Sequence, residues 1–265
     1  MQTNELENFN NLYDQHIADK NIVYMSYMNY YIIFLYKLDN TKTNEKRLNM
    51  VYPKTSLYMG DIFAVILIVD KRDATTILKS IGEYTIGDIV GKSNKMSIRY
   101  YLSLKCAFFS QLKYEKLVGY YNEWFCNGCR RIICKYDDES KLHEEYYEWY
   151  DNTDKKKKYT YNNGVLHGEY IEWYRSYISL YKINLNTKSL FCDYVFGQCH
   201  GQLNMWHENS TLWTSCIYAH GILNGQYYKW YSNGQQWICA TYENGKRKSF
   251  LEKTKNGIIL FCDYE

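Results

Sequence analysis

The rhythm of hydrophobic and polar positions changes several times along the chain. Residues 5–18 place Leu6, Phe9, Leu12, Tyr13 and Ile17 near a 3.6-residue period, which predicts a short amphipathic helix within an N-terminal arm over 1–20. Ile22 to Leu38 is aromatic and β-branched and predicts a pair of buried strands. A membrane span is the competing reading. Ser26, Asn29, Tyr24, Tyr27, Tyr30 and Tyr31 keep the run short of the ~18 uninterrupted apolar residues that a span requires. Asp39 to Asn44 is a polar turn cluster, Ile62 to Val69 a continuous apolar strand, and Asp88 to Gly91 the close of another. Ser97 to Phe109 reads as a strand leading into a short helix. Residues 21–112 are thus expected to form a small β-rich domain.

Beyond residue 112 the pattern repeats. Trp124, Trp149, Trp173, Trp206 and Trp230 lie 25, 24, 33 and 24 residues apart. Five positions before them stand Gly119, Glu144, Gly168, Gly201 and Gly225. The string Tyr-x2-Gly-x3-Gly-x4-Trp is intact at Tyr161–Gly164–Gly168–Trp173, Tyr194–Gly197–Gly201–Trp206 and Tyr218–Gly221–Gly225–Trp230. Each unit of ~24 residues divides into two halves of strand-plus-turn length, and Asn127-Gly128, Asn163-Gly164, Asn224-Gly225, Asn233-Gly234 and Asn244-Gly245 supply turn residues tolerant of positive φ. The expected fold is mainly β: an elongated, single-layer antiparallel sheet of five to six stacked β-hairpins over 113–265, behind the small β-rich domain and its short helix. At ~4.8 Å per strand, such a sheet would extend ~50–60 Å. One extra residue between Tyr136 and Trp149 predicts a bulge or a longer turn. Nine extra residues between Trp173 and Tyr194 place a loop insertion at 176–187.

The runs Asn162-Asn-Gly-Val-Leu-His-Gly-Glu-Tyr-Ile-Glu-Trp-Tyr174 and Ala219-His-Gly-Ile-Leu-Asn-Gly-Gln-Tyr-Tyr-Lys-Trp-Tyr-Ser-Asn-Gly234 carry a resemblance to the MORN-repeat family, in its Asn-Gly…His-Gly-x4-Trp-Tyr variant. It covers roughly residues 114–265. The resemblance implies stacked hairpins and an assembly or anchoring role, and no particular reaction. Thr43 to Arg47, Leu57 to Phe63, Tyr84 to Val90 and Ile98 to Lys105 resemble the β module that precedes such repeats in giant, mimivirus-like DNA viruses. Ser97-Ile-Arg-Tyr100 stands where that module carries a Gly-Ile-His-Tyr-like string, so no site built on that histidine is implied. The resemblance implies a viral protein of the host cytoplasm or the virion.

Composition narrows the chemistry. The 265 residues hold 32 Lys+Arg and 29 Asp+Glu, a formal net charge of +3 with a pI near 8.2. That falls short of the basicity of a nucleic-acid-binding domain, and no nucleic-acid partner is expected. Residues 1–20 carry Glu5, Glu7, Asp14 and Asp19 with no apolar run, so no signal peptide is read there. The odd count of nine cysteines then suggests free thiols in a reducing, cytoplasmic compartment.

Cys126-Asn-Gly-Cys129 invites a zinc or redox reading, but it stands alone and its Asn-Gly fills the turn of the repeat. Cys134, Cys192, Cys216 and Cys262 each precede a tyrosine by two, and Ala240 fills the same step, which predicts a small buried slot. Copies ~10 Å apart cannot bridge, because disulfides need Cα atoms within ~7 Å. His143, His167 and His200 share one phase beside the glycine and read as turn residues. No P-loop, GxGxxG, HExxH, nucleophile elbow or Ser-His-Asp spacing appears, and no enzyme activity, cofactor, metal or small-molecule substrate is expected.

Strand alternation puts the tryptophans on one face and a Tyr–Glu–Tyr row on the other. That row comprises Tyr121, Glu123, Phe125, Tyr146, Glu148, Tyr150, Tyr170, Glu172, Tyr174, Tyr227 and Tyr231. A single layer cannot cover two aromatic faces with its own side chains, so the row is the candidate binding surface. Carboxylates between tyrosines favour a cationic peptide and repel anionic headgroups. The expected function is a non-enzymatic scaffold that binds a protein, another copy of itself included. The alternative is a peripheral phospholipid binder using Lys155 to Lys158, read as the basic tip of a hairpin.

Overall fold

The computed structural model describes residues 2–92, 95–110, 117–178, 183–184 and 186–264, and the chain divides into compact units at 1–140 and 141–265. The sequence boundary near 112 falls in 111–116, outside the described residues.

The first unit runs α1 (Gln2–Leu12), α2 (Asp14–Ala18), β1 (Ile22–Tyr27), β2 (Tyr31–Lys37), β3 (Leu57–Gly60), β4 (Ile62–Asp70), β5 (Asp73–Ile77), β6 (Ser80–Ile81), β7 (Tyr84–Thr85), β8 (Ile89–Gly91), β9 (Ile98–Tyr101), α3 (Leu104–Phe109), β10 (Gly119–Trp124) and β11 (Arg130–Tyr136). The expected single helix is two, parted at Tyr13, whose hydroxyl donates to the Ala74 carbonyl at 2.6 Å. Strands β3-β9-β1-β2-β4-β5 make one antiparallel sheet, with β8 also on β4. Residues on β1 and β2 alternate between two apolar clusters, as a two-residue period requires. Tyr24, Ile32 and Phe34 join Phe9, Phe108 and Phe109 from the helices on one face, whereas Val23, Ile33 and Leu35 join Tyr58, Phe63 and Tyr100 on the other. Full burial of each such side chain stabilises by roughly 1.5–3 kcal/mol.

The turn of the first repeat hairpin is built into this unit. Val51 and Tyr52 donate backbone N–H groups to Asn127 O, Leu57 N–H donates to Cys126 O, and Thr55 Oγ1 donates to Gly128 O. Arg47 donates to Cys126 O at 2.9 Å and to Leu57 O at 2.7 Å. Gly128 has φ +86°, and a Cβ there would lie 2.1 Å from the Tyr52 carbonyl oxygen. The Cys-x-x-Cys string therefore forms a docking turn, with Cys129 fully buried and Cys126 exposed.

The second unit holds β12 (Leu142–Trp149), β13 (Lys155–Asn162), β14 (Val165–Trp173), the short pair β15 (Tyr177–Ile178) and β16 (Ile183–Asn184), β17 (Lys188–Val195), β18 (Gln198–Trp206), β19 (Leu212–Ala219), β20 (Ile222–Trp230), β21 (Gln236–Glu243), β22 (Lys246–Lys253) and β23 (Ile259–Tyr264). From β10 to β23, with the pair β15–β16 set aside, twelve antiparallel strands follow one another in strict chain order, as the repeat predicts. Two kinds of turn alternate. Asn163-Gly164, Phe196-Gly197, His220-Gly221 and Asn244-Gly245 have two consecutive positive φ values, the two-residue turn that suits the twist of a hairpin. The other ends use a longer turn with one left-handed residue: Thr153, Asn186, Ser210, Gly234 or Gly257. Asn152, Asn209 and Asn233 accept the N–H two residues on, closing it. Gly168, Gly201 and Gly225, each five before a tryptophan, have positive φ where the register with the preceding strand shifts, and Glu144 at the same phase is forced to +64°.

The cysteine slots are as small and buried as the phase implies. Cys134, Cys192, Cys216 and Ala240 are 0–2% exposed and pair across strands with Tyr121, Tyr170, Leu203 and Tyr227. The Cys262 side chain lies outside the described residues. The expectation of free thiols throughout is corrected at one hairpin: Cys192 is bonded to Cys199, with Cα atoms 6.5 Å apart. Cys199 faces Tyr194, two residues along from Cys192, so the two sulfurs are diagonal neighbours within a single hairpin rather than members of one column.

Candidate functional site

The tyrosine row is knitted together inside the sheet. Tyr146, Tyr159 and Tyr170 stand in register on β12, β13 and β14, with ring centroids 5.6 and 4.2 Å apart. Tyr170 and Tyr159 donate their hydroxyls to one oxygen of Glu172, at 2.8 and 3.0 Å, and Lys157 approaches the same oxygen at 3.2 Å. Burial pushes the Glu172 carboxyl up, but these donors outweigh it and hold it below the usual carboxylate range. In the first unit Tyr121 packs on Phe109, and Glu123 pairs with Arg131 at 2.6 Å. Tyr227 lies 5.8 Å from Tyr242.

The residue after each tryptophan forms a second ladder. Tyr150 donates to Trp173 O at 3.0 Å, Tyr174 to Trp206 O at 2.8 Å and Tyr231 to Lys253 O at 3.0 Å. His207 Nε2 meets Trp230 O at 3.0 Å in the same place. Phe125 holds this position in the first unit without a hydroxyl, and Arg131 lies 5.8 Å from its ring. A third ladder uses the residue before the bulge: His143 Nδ1 and His200 Nδ1 accept the N–H of Asn163 and His220, and Asn224 accepts that of Asn244. His167 faces the ring of Phe196 at 5.5 Å instead. The phased histidines are therefore strand residues of β12, β14 and β18 rather than the turn residues expected, and His143 and His200 each accept from a residue of a neighbouring turn.

Lys155 to Lys158 is not a hairpin tip. The turn is spent by Asp154, so the lysines open β13 in mid-sheet among the carboxylates of its neighbours. Lys156 pairs with Glu148 at 2.7 Å, Lys157 with Glu172, and Lys158 with Glu169 at 2.8 Å and Glu145 at 3.5 Å. Lys155 lies 5.7 Å from the Trp173 ring. A run whose charge is met by four glutamates offers little free potential to a headgroup.

Burial pushes the thiols of Cys134 and Cys216 up, to about 12 and about 11, so neither is a nucleophile near neutral pH. Among the described residues, no group of three or more His, Cys, Asp and Glu is placed to hold a metal ion, and no helix is long and apolar enough to cross a membrane. The tryptophan face is half-buried, with Tyr147 beside Trp149 and Tyr228 beside Trp230, both at 5.6 Å. No family model matches the chain, and no curated protein matches it.

Sequence spacing missed Lys71, which is fully buried at the end of β4 and donates to Ser26 Oγ at 2.6 Å and Ser110 O at 2.9 Å. Burial pulls its ammonium down to about 7. In sequence it reads as the first residue of a charged turn, Lys71-Arg-Asp73. The only available signal was the apolar run from Ile62 to Val69, which ends two residues before it.

Proposed function

We propose that the chain is a non-enzymatic repeat scaffold of the MORN type, and that it binds a partner protein through the aromatic and acidic side chains of its sheet. The carrying observation is the lack of a second layer. Among the described residues of 141–265, only Tyr159, Ile171, Cys192, Thr214, Cys216 and Ala240 are buried. Tryptophans and tyrosines in ordered strands are left half-exposed, and such residues dominate the contact energy of protein interfaces. The carboxylates along the tyrosine row supply charge selectivity, and the repeat gives one binding element many copies. The resemblance of the repeat to the MORN family, whose members serve assembly or anchoring, supports the scaffold reading, and that of the N-terminal segment to a giant-virus module supports a viral, cytoplasmic setting.

Selecting random peptides on the purified chain tests the reading. Selected peptides should lose affinity about tenfold on Trp149→Ser or Tyr231→Ser, with the strand signal in circular dichroism unchanged. A chain that selects no peptide, or whose peptides ignore substitutions on both faces, is not such a scaffold.

A further inference from the structure

A rung of residues in register crosses the sheet from β12 to β22, and it breaks at a single place. Tyr146 pairs with Tyr159, Tyr159 with Tyr170 and Tyr170 with Cys192. Beyond the break, Leu203 pairs with Cys216, Cys216 with Tyr227, Tyr227 with Ala240 and Ala240 with Phe250. Between β17 and β18 the ladder passes from the pair of Phe191 with Asn204 directly to that of Asp193 with His200, so the register shift falls on Cys192 itself. In the hairpins on either side the shift falls one residue later, after Tyr159 and after Cys216, which keep Tyr170 and Tyr227 as partners. The broken hairpin is the one that carries the Cys192–Cys199 bond.

The exception traces to one residue. Leu166 stands across from Tyr161 and Leu223 across from Tyr218, but Cys199 stands across from Tyr194. In the next hairpin the same diagonal runs from Cys216, a free thiol, to Leu223, and there the rung is whole. A sulfur in place of the leucine therefore gives the buried cysteine a covalent partner on the turn side of the bulge and takes it from Leu203 on the other side. The two sulfurs also differ in access. Cys192 is fully buried and Cys199 half-buried, so an attacking thiolate reaches the bond through Cys199.

We infer that the Cys192–Cys199 pair is a redox switch that sets the position of this bulge and is driven by a vicinal dithiol. One thiolate of the dithiol attacks Cys199 Sγ, the Cys192–Cys199 bond breaks, and Cys192 leaves with the electron pair and takes up a proton. The second sulfur of the dithiol then attacks the mixed disulfide, closes an oxidised cyclic disulfide and releases Cys199, which takes up the second proton. Two electrons and two protons have passed to the protein. Once free, Cys192 pairs with Leu203 as Cys216 pairs with Tyr227, the bulge moves one residue towards the turn, and the rung runs unbroken from Tyr146 to Phe250. Exchange with an oxidised cyclic disulfide reverses each step. The inference goes beyond the scaffold reading and does not depend on it, since a chain that selects no peptide still switches.

The test treats the folded full chain with dihydrolipoamide, maps free thiols by alkylation and mass spectrometry, and reads the register from cross-strand nuclear Overhauser contacts. In the untreated chain, Cys192 and Cys199 should resist alkylation even after unfolding, and after dihydrolipoamide both should be labelled. Reduction should replace the contact of Asp193 with His200 by one of Cys192 with Leu203, with the strand signal in circular dichroism retained. Cys199→Leu, which installs the residue of the neighbouring hairpins, should hold the reduced register with or without dithiol. Should that variant fail to fold, the reduced natural chain decides alone. Alkylation of either cysteine in the untreated chain, a bond that dihydrolipoamide leaves intact, or a register that reduction does not move overturns the inference.

Discussion

Tyr58 and Tyr100 in the first unit and Tyr159 and Tyr170 in the second are both tyrosine pairs on adjacent strands, yet their surroundings differ. The first pair is fully buried beneath Phe63, and its hydroxyls reach Pro53 O at 2.9 Å and Glu45 at 2.6 Å, on segments outside the strands. The second pair stacks at 4.2 Å and shares a carboxylate on its own sheet. One unit is stabilised by layers that close over a sheet. The other is stabilised sideways, each rung by the next, and its large side chains stay partly exposed.

Matched glycines expose this difference most sharply. Gly128 and Gly234 hold the same turn position with φ +86°, but a Cβ on Gly234 meets nothing within 4 Å, whereas one on Gly128 strikes Tyr52 O. Gly128→Ala should cost about 4 kcal/mol or more and Gly234→Ala only the left-handed strain of about 1 kcal/mol, read by chemical denaturation. Similar costs at the two sites would mean that the docking turn is not integral to the first unit.

Titration should separate the units next. Lys71 has a folded pKa of about 7, below its unfolded value, so its burial penalty is full below pH 7 and is relieved as pH rises towards 10. The first unit should gain stability over that window, on the order of 4 kcal/mol at the limit, and Lys71→Met should flatten the gain. Native-state hydrogen exchange, resolved by residue, checks it.

The second unit answers at the acid end. Glu172, Glu169 and Asp154 have folded pKa values below their unfolded ones, so they stabilise above the ordinary carboxylate range, and that contribution is lost as pH falls through the folded values. Glu172→Ala should cost about 2 kcal/mol near neutrality, since two tyrosine hydroxyls and Lys157 lose their acceptor. It should also shift the acid loss of exchange protection in β13 and β14.

The smallest effect has the opposite sign. Glu144 holds φ +64° at the phase where Gly119, Gly168, Gly201 and Gly225 stand in the other repeats, so Glu144→Gly should stabilise the chain by about 0.5–1 kcal/mol in thermal melting. Destabilisation would show that the Glu144 side chain contributes more than its backbone strain costs.

Much of this was legible because a repeat turns one residue into a column. Cys or Ala at a single phase already meant a small buried slot, whereas the histidine phase, read as a turn, belongs to strands whose imidazoles reach a neighbouring turn. Tertiary detail between columns was harder to see. Each tyrosine hydroxyl of the second ladder finds a carbonyl 22 to 32 residues further on, a partner with no side-chain signature. The lysine run was misplaced because Tyr150 to Asp154 already complete the turn, a count that the Trp149–Lys155 pairing makes plain. The Cys192–Cys199 bond escaped because column reasoning compares repeats, and this pair lies within one. Lys71 escaped because charge after an apolar strand ordinarily marks solvent.

Strand order has a further consequence, for how the molecule is made. In the first sheet, β1 must find β9 some 77 residues along the chain, so a large loop closes before those contacts form. In the repeats every strand's partner is the next to leave the ribosome, the insertion between β14 and β17 aside, and the entropy lost at each other step is that of one short turn. Such a ribbon can nucleate at any hairpin and zip outwards at a rate nearly indifferent to copy number. Duplication or deletion of a unit then changes its reach without posing a new folding problem.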